Sequence, residues 1–113
     1  AVYFVYNKDV IIPESFPVLE EVAKILRENP QIKLVRIEAH TDSDGRDAAN
    51  MKLSIARASA VVKYLTEKAG IDPKRLEWKG FGETRPIISP EKTDADKQKN
   101  RRVEFVIVET AEP

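Results

Sequence analysis

The segment from Asp47 to Lys68 constrains the fold more than any other. Met51, Ile55, Ala58, Val62 and Leu65 recur there at helical spacing, and Val61 widens the stripe. Gly70 supplies the stop. A helix of this length with one apolar side needs an apolar surface to lie on, and the remaining chain has to build it.

The flanking segments read as that surface and a second helix. Phe16, Leu19, Val22, Ala23 and Leu26 share a helical face; Ser15 is placed to cap the helix, Pro17 is tolerated in its first turn, and Asn29-Pro30 ends it. Val2 to Tyr6, bounded by Asn7-Lys8-Asp9, predicts a first strand. Ile32 to Ala39 predicts a second, with Val35, Ile37 and Ala39 on a covered face and Arg36, Glu38 and His40 on a partly wet one. Asp72-Pro73 suits a short capped turn before a third strand from Arg75 to Lys79. Gly80-Phe81-Gly82-Glu83 and Pro86 read as a loop, Pro90 to Lys99 as an irregular or weakly helical excursion, and Arg102 to Glu109 as the last strand. Ala111 to Pro113 read as a frayed tail or the start of a linker. The expected fold class is α+β, a β-α-β-α-β-β sandwich with two main helices packed on one face of a mixed four-stranded sheet. All 113 residues are expected to form one domain excised from a larger protein, since the chain opens at Ala1 without an initiator Met.

Composition then removes function classes. Nineteen Lys and Arg balance nineteen Asp and Glu, so the chain lacks the basic footprint of a general nucleic-acid binder. It has no cysteine, hence no disulfide, thiol nucleophile or thiolate metal site, and its single histidine leaves little for a His-rich metal centre. No apolar run reaches the length of a membrane span.

Few side chains remain for chemistry. His40 beside Thr41, Ser43 or Ser54 has the composition of a nucleophile and base, but no second motif supports catalysis, and His40 is expected to end its strand and hydrogen-bond the loop. Asp42, Asp44 and Asp47 lack the twelfth-position glutamate and flanking helices of an EF-hand. Gly80-Phe81-Gly82 lacks the third glycine and following helix of a dinucleotide site and reads as a tight turn. What is left is a pair of opposite charges: Asp42 in the loop before the long helix, and Arg57 within it on the side of Asn50 and Leu53. The pair reads in two ways. One is an intramolecular salt bridge worth about 0–1 kcal/mol if exposed, which the residue types alone favour. The other is a receptor for a zwitterion, with the carboxylate taking an ammonium, the guanidinium fork taking a carboxylate, and loop amides near Gly45 adding donors.

Five groups in order alter that balance. They are Phe4-Val5-Tyr6-Asn7-Lys8 with Ile11-Ile12-Pro13-Glu14; His40-Thr41-Asp42 with Gly45; Asn50, Leu53, Ser54, Arg57, Ala58, Val61 and Leu65 at their mutual spacings; Gly80-Phe81-Gly82-Glu83 with Pro86; and Asn100-Arg101-Arg102-Val103-Glu104. Together they resemble, over nearly the whole chain, the OmpA-like domain, a peptidoglycan-associating module of Gram-negative envelope proteins. Ala39 stands where that family often has Gly, and Asn7 where many members have Asp, which turns a first-loop carboxylate contact into an amide contact. The resemblance implies a binding module rather than an enzyme, with no cofactor and no metal. It implies noncovalent capture of the peptide stem of peptidoglycan through meso-diaminopimelate. Asp42 would receive the ammonium and Arg57 the carboxylate. Thr41, Asn50 and the backbone around Leu53 would orient the ligand, Arg101 would add a second cation and Arg102 would help, or else these two arginines would form surface pairs with Glu38 or Glu104. The implied location is the periplasm, tethered to the outer membrane, with membrane contact only through other parts of a parent that is porin-like, a lipoprotein or a motor stator. The competing expectation is a protein-interaction or dimerisation module, forming a homodimer, in which Asp42 and Arg57 are purely structural.

Overall fold

A computed structural model describes residues 1–111. Helix α1 spans Phe16–Glu28, strand β1 Ile32–His40, helix α2 Asp47–Glu67, strand β2 Leu76–Gly82, helix α3 Asp94–Asn100 and strand β3 Arg102–Thr110. Strand β1 is central, parallel to β2 and antiparallel to β3. The parallel pair follows from the connection: α2 carries the chain back along the sheet before β2 begins. No helix among the described residues is long and apolar enough to cross a membrane.

Alternation along β1 sorts the two faces. Val35, Ile37 and Ala39 pair in register with Ile107, Phe105 and Val103 on one side, and Val35 pairs with Leu76 on the other. That face joins Leu19, Ala23 and Leu26 of α1 and Ala58, Val61, Val62 and Leu65 of α2 in one buried cluster. The helices also meet directly, with Phe16 stacked on Tyr64 at 5.1 Å and the Tyr64 hydroxyl donating to Glu20 at 2.6 Å.

The sheet has three strands, not the expected four. Val2 to Tyr6 makes only a single bridge, Phe4 to Ile11, closed by Val5 N–H donating to Val10 O and Ile12 N–H donating to Tyr3 O. Asn7, at φ +57°, turns the chain back before a ladder can grow. The apolar run still does its packing work, since Val2 is buried in the core and Phe4 lies against it. Ser15 is diverted by the same loop. A 3-10 turn over Pro13–Ser15 runs straight into α1, and the Ser15 hydroxyl accepts from Tyr3 N–H at 2.8 Å instead of capping the helix.

Two further expectations shift for one reason. Strand β2 continues through Gly80, Phe81 and Gly82, where a loop was expected. The glycines serve close approach: a Cβ on Gly80 would lie 2.3 Å from Ile55 N and 2.6 Å from Ser54 Oγ. The buried side of α2 is rotated accordingly toward Asn50 and Ser54, leaving Ile55 44% exposed. The Ser54 hydroxyl accepts from Gly82 N–H at 2.8 Å and donates to Met51 O at 2.9 Å, so a polar residue fits an apolar stripe with its hydrogen bonds made.

The turn at Asp72 forms as expected, its carboxylate accepting from Lys74 N–H at 2.9 Å. The excursion after Pro90 closes with α3, capped by Thr93 through Asp96 N–H. The face expected to be partly wet is less so, because Glu38 and His40 are both buried. Arg36 spans Glu38 and Glu77, and Phe81 stacks on His40. His40 ends its strand as expected, but its ring bonds Phe81 by stacking and makes no hydrogen bond to the loop. Ala111 N–H still donates to Gln31 O; the rest of the expected tail, residues 112 and 113, lies outside the described residues.

Gly80→Ala is expected to cost about 3 kcal/mol, the upper part of the usual range for overpacking, because the obstructing atoms are helix backbone. Ile55→Ala, a half-exposed neighbour, should cost about 1 kcal/mol or less. Urea denaturation of the two variants checks the contrast, which reverses if α2 buries Ile55 instead.

Candidate functional site

The C-terminal end of β1 delivers His40, Thr41 and Asp42 to a loop that Gly45, at φ +88°, bends toward the start of α2. The loop is tied down at several points. Thr41 N–H donates to Gly82 O at 2.8 Å and its hydroxyl to Asp42 O at 2.9 Å. The Asn50 amide donates to Asp44 O at 2.8 Å and Glu83 Oε1 at 3.2 Å, so it staples the loop to the helix that carries it.

Asp42 is 7% exposed. Its Oδ1 accepts from Asp44 N–H at 2.9 Å and its Oδ2 from Arg101 Nη1 at 2.5 Å. The direct Asp42–Arg57 salt bridge that residue types alone favoured is not formed among the described residues; Arg101 takes that place. Arg57 reaches a different set of partners. Its Nε donates to Lys8 O at 2.9 Å, its Nη2 to Val5 O at 3.4 Å, and the guanidinium lies 4.9 Å over the Phe4 ring. Among the described residues it has no carboxylate within ion-pair distance, and its Nη1 donates to no protein acceptor. Burial, and next the charge of Arg101, lower its pKa from the ordinary value, while Asp42 and Asp9 act the other way. A half-buried cation with carbonyls and an aromatic face for neighbours can still receive an anion.

All eight residues singled out from the sequence, Asn7, Thr41, Asp42, Asn50, Leu53, Arg57, Arg101 and Arg102, line one cleft of about 750 Å³. Their commitments differ. Arg101 is 44% exposed along its side chain and is held by the Asp42 carboxylate. Arg102 is held by Glu104 at 2.9 Å and by the carbonyls of Arg85 and Asn100, the surface pairing weighed for it.

Sequence reasoning valued Asn100 only as part of the last of the five groups that carry the resemblance and missed what it does. It is fully buried; Oδ1 accepts from Ile87 and Ile88 N–H, and Nδ2 donates to Ile88 O at 2.9 Å and Glu91 Oε2 at 2.6 Å. Glu91 in turn accepts from Ser43 N–H and Oγ, so this chain of bonds ties the Asp42 loop to the segment before α3 and thereby places Arg101. Burial pushes the Glu91 carboxyl up, but the hydrogen bonds from Asn100 and Ser43 outweigh it and hold the pKa below the usual 4.5.

Residues 3–101 match the model of the OmpA family, and the chain belongs to that family. Outer membrane protein A of Bordetella avium is 41% identical over 106 residues, which cover 94% of this chain and 53% of that protein. The peptidoglycan-associated lipoprotein of Burkholderia pseudomallei superposes with a TM-score of 0.81 at 27% identity, over 93% of this chain and 86% of that one. The cell wall anchor of the type VI secretion system of Pseudomonas aeruginosa gives 0.79 at 28% identity, over 96% and 75%. The chain spans about half the length of the Bordetella protein and 31% of outer membrane porin F of Pseudomonas fluorescens.

Asn100→Ala should cost about 2–3 kcal/mol, since it strands buried backbone groups as well as Glu91. Thermal unfolding measures the loss. The Glu91 contribution carries a pH signature. Its folded pKa lies below the unfolded one, so the stabilisation is complete above about pH 4.5 and is lost as pH falls through the folded value. Glu91→Gln is expected to flatten that acid limb of a Tm–pH profile.

Proposed function

We propose that this domain binds the peptide stem of peptidoglycan noncovalently, through meso-diaminopimelate, and so holds an envelope protein to the cell wall from the periplasmic side. The observation that carries the reading is Arg57: a half-buried guanidinium with no carboxylate partner among the described residues, opening on the same cleft as the buried carboxylate of Asp42. The far stereocentre of diaminopimelate bears one ammonium and one carboxylate, the complement of those two groups. The names of the Burkholderia lipoprotein and the Pseudomonas anchor, which connect those proteins with peptidoglycan and the cell wall, support the same assignment.

Asp42 receives the ammonium on the oxygen lone pairs left by Asp44 and Arg101, and the exposed Arg101 side chain swings toward stem carboxylates as the ammonium arrives. Arg57 meets the ligand carboxylate with Nη1 and the second Nη2 hydrogen, the edge not spent on Lys8 and Val5. Thr41, Asn50 and the Leu53 backbone orient the stem, Asn7 contributes an amide from the first loop, and Arg102 adds positive potential at the mouth. A small polar ligand of this kind binds with about −4 to −8 kcal/mol. Retention on the wall then comes from many stems meeting tethered copies, not from one tight contact.

Removing either member of the pair strands the other pole of the ligand. Asp42→Ala and Arg57→Ala are each expected to lose about 2–5 kcal/mol of affinity for a diaminopimelate-containing stem peptide. Arg57→Lys should fail as well, because an ammonium lacks the planar fork. Isothermal titration reads all three, and retention on purified sacculi gives the parallel result. Wild-type affinity in both alanine variants would overturn the assignment.

A further inference from the structure

The face of the sheet turned away from the helices holds a second cluster, which shares only His40 and Arg102 with the lining of the cleft. Register places Glu38 of β1 directly opposite Glu104 of β3, an arrangement that is repulsive when both are ionised. Each carboxylate spends one oxygen on an arginine: Arg36 Nε lies 2.7 Å from Glu38 Oε2, and Arg102 Nε 2.9 Å from Glu104 Oε1. The other oxygen of Glu104 points to His40, 3.8 Å from Nε2. His40 is 3% exposed, and among the described residues neither ring nitrogen has a hydrogen-bond partner. Stacking on Phe81 at 5.2 Å and 11° fixes the plane of the ring and hence the direction of its lone pair. An imidazole so fully buried and unpartnered costs stability unless something occupies that lone pair.

One donor atom from each of Glu38, His40 and Glu104 lies within 4.8 Å of the other two. Bonds of about 2.0–2.2 Å to a tetrahedral zinc ion would hold such atoms about 3.3–3.6 Å apart. The His40–Glu104 edge is already near that spacing, and the remaining closure falls to Glu104, whose side chain is 45% exposed. We infer that Glu38, His40 and Glu104 form a divalent-cation site of the zinc class, in which His40 Nε2 and one free oxygen from each glutamate are the protein ligands. The ion relieves the cross-strand repulsion and gives the buried Nε2 lone pair a partner in one step. Arg36 and Arg102 are its outer shell, orienting the carboxylates through the oxygens they already hold. One nitrogen and two oxygens with an open fourth position favour zinc, cobalt or nickel over magnesium and calcium, which take all-oxygen shells.

The chain has one histidine, so a tag-free preparation has one imidazole to observe. Titration with zinc chloride, followed by calorimetry and by ¹H–¹⁵N spectra of that ring, is expected to show saturable uptake at one site with the Nε2 resonance moving to its ligated position. Magnesium chloride should leave the spectrum unchanged. Glu104→Gln, a half-exposed position that the fold tolerates, should weaken zinc binding by about tenfold or more, and His40→Gln should abolish it. An Nε2 resonance that stays put at millimolar zinc, or zinc affinity unchanged in Glu104→Gln, overturns the site even if His40→Gln fails to fold.

Discussion

At Gly80 the backbone of β2 lies against the backbone of α2 with no room for a side chain between them. That approach fixes how the long helix sits on the sheet. Ser54 locks it by accepting from Gly82 N–H, and one turn away Asn50 ties the helix to the loop after β1. Because Asp42 rides on that loop and Arg57 on that helix, packing of the main chain sets where the two side chains start, and the carbonyls of Lys8 and Val5 aim the longer one. A scaffold of this kind delivers charges at a spacing that thermal motion of long side chains would otherwise blur.

The charges are also kept from cancelling. Arg101 and the Asp44 amide occupy Asp42, while the carbonyls of Lys8 and Val5 and the ring of Phe4 occupy Arg57. Carbonyl dipoles orient a guanidinium without neutralising it, and Arg57 therefore keeps its charge for a guest. Arg101 behaves differently, because it is half-exposed and spends its charge on the Asp42 carboxylate.

Much of this was legible in the residues. The stripe of α1, most of that of α2 and the alternation of β1 came from periodicity, Asp42 and Arg57 stood out as a pair of opposite charges, and the other residues named around the cleft came from the resemblance to OmpA-like domains. What was not legible has physical causes. Val2 to Tyr6 is strand-like in composition, but composition cannot tell packing from hydrogen-bonded pairing, and here the chain packs without joining the sheet. Gly80 and Gly82 looked like turn residues because a glycine required by a neighbouring helix and one required by a positive φ are the same letter. Asn50, Ser54 and Asn100 are polar and buried, a combination that hydrophobic spacing discards. Glu38 and Glu104 become neighbours only through the register of β1 on β3, which no local pattern encodes.

The hold that Val5 and Lys8 have on Arg57 makes the leading segment part of the site. Residues 1–12 are joined to the rest by the packing of Val2, Phe4 and Ile11 and by hydrogen bonds such as Tyr3 to Ser15, and not by a sheet ladder. The conformation of residues 5–8 and the orientation of the guanidinium at the cleft are therefore coupled through two peptide carbonyls.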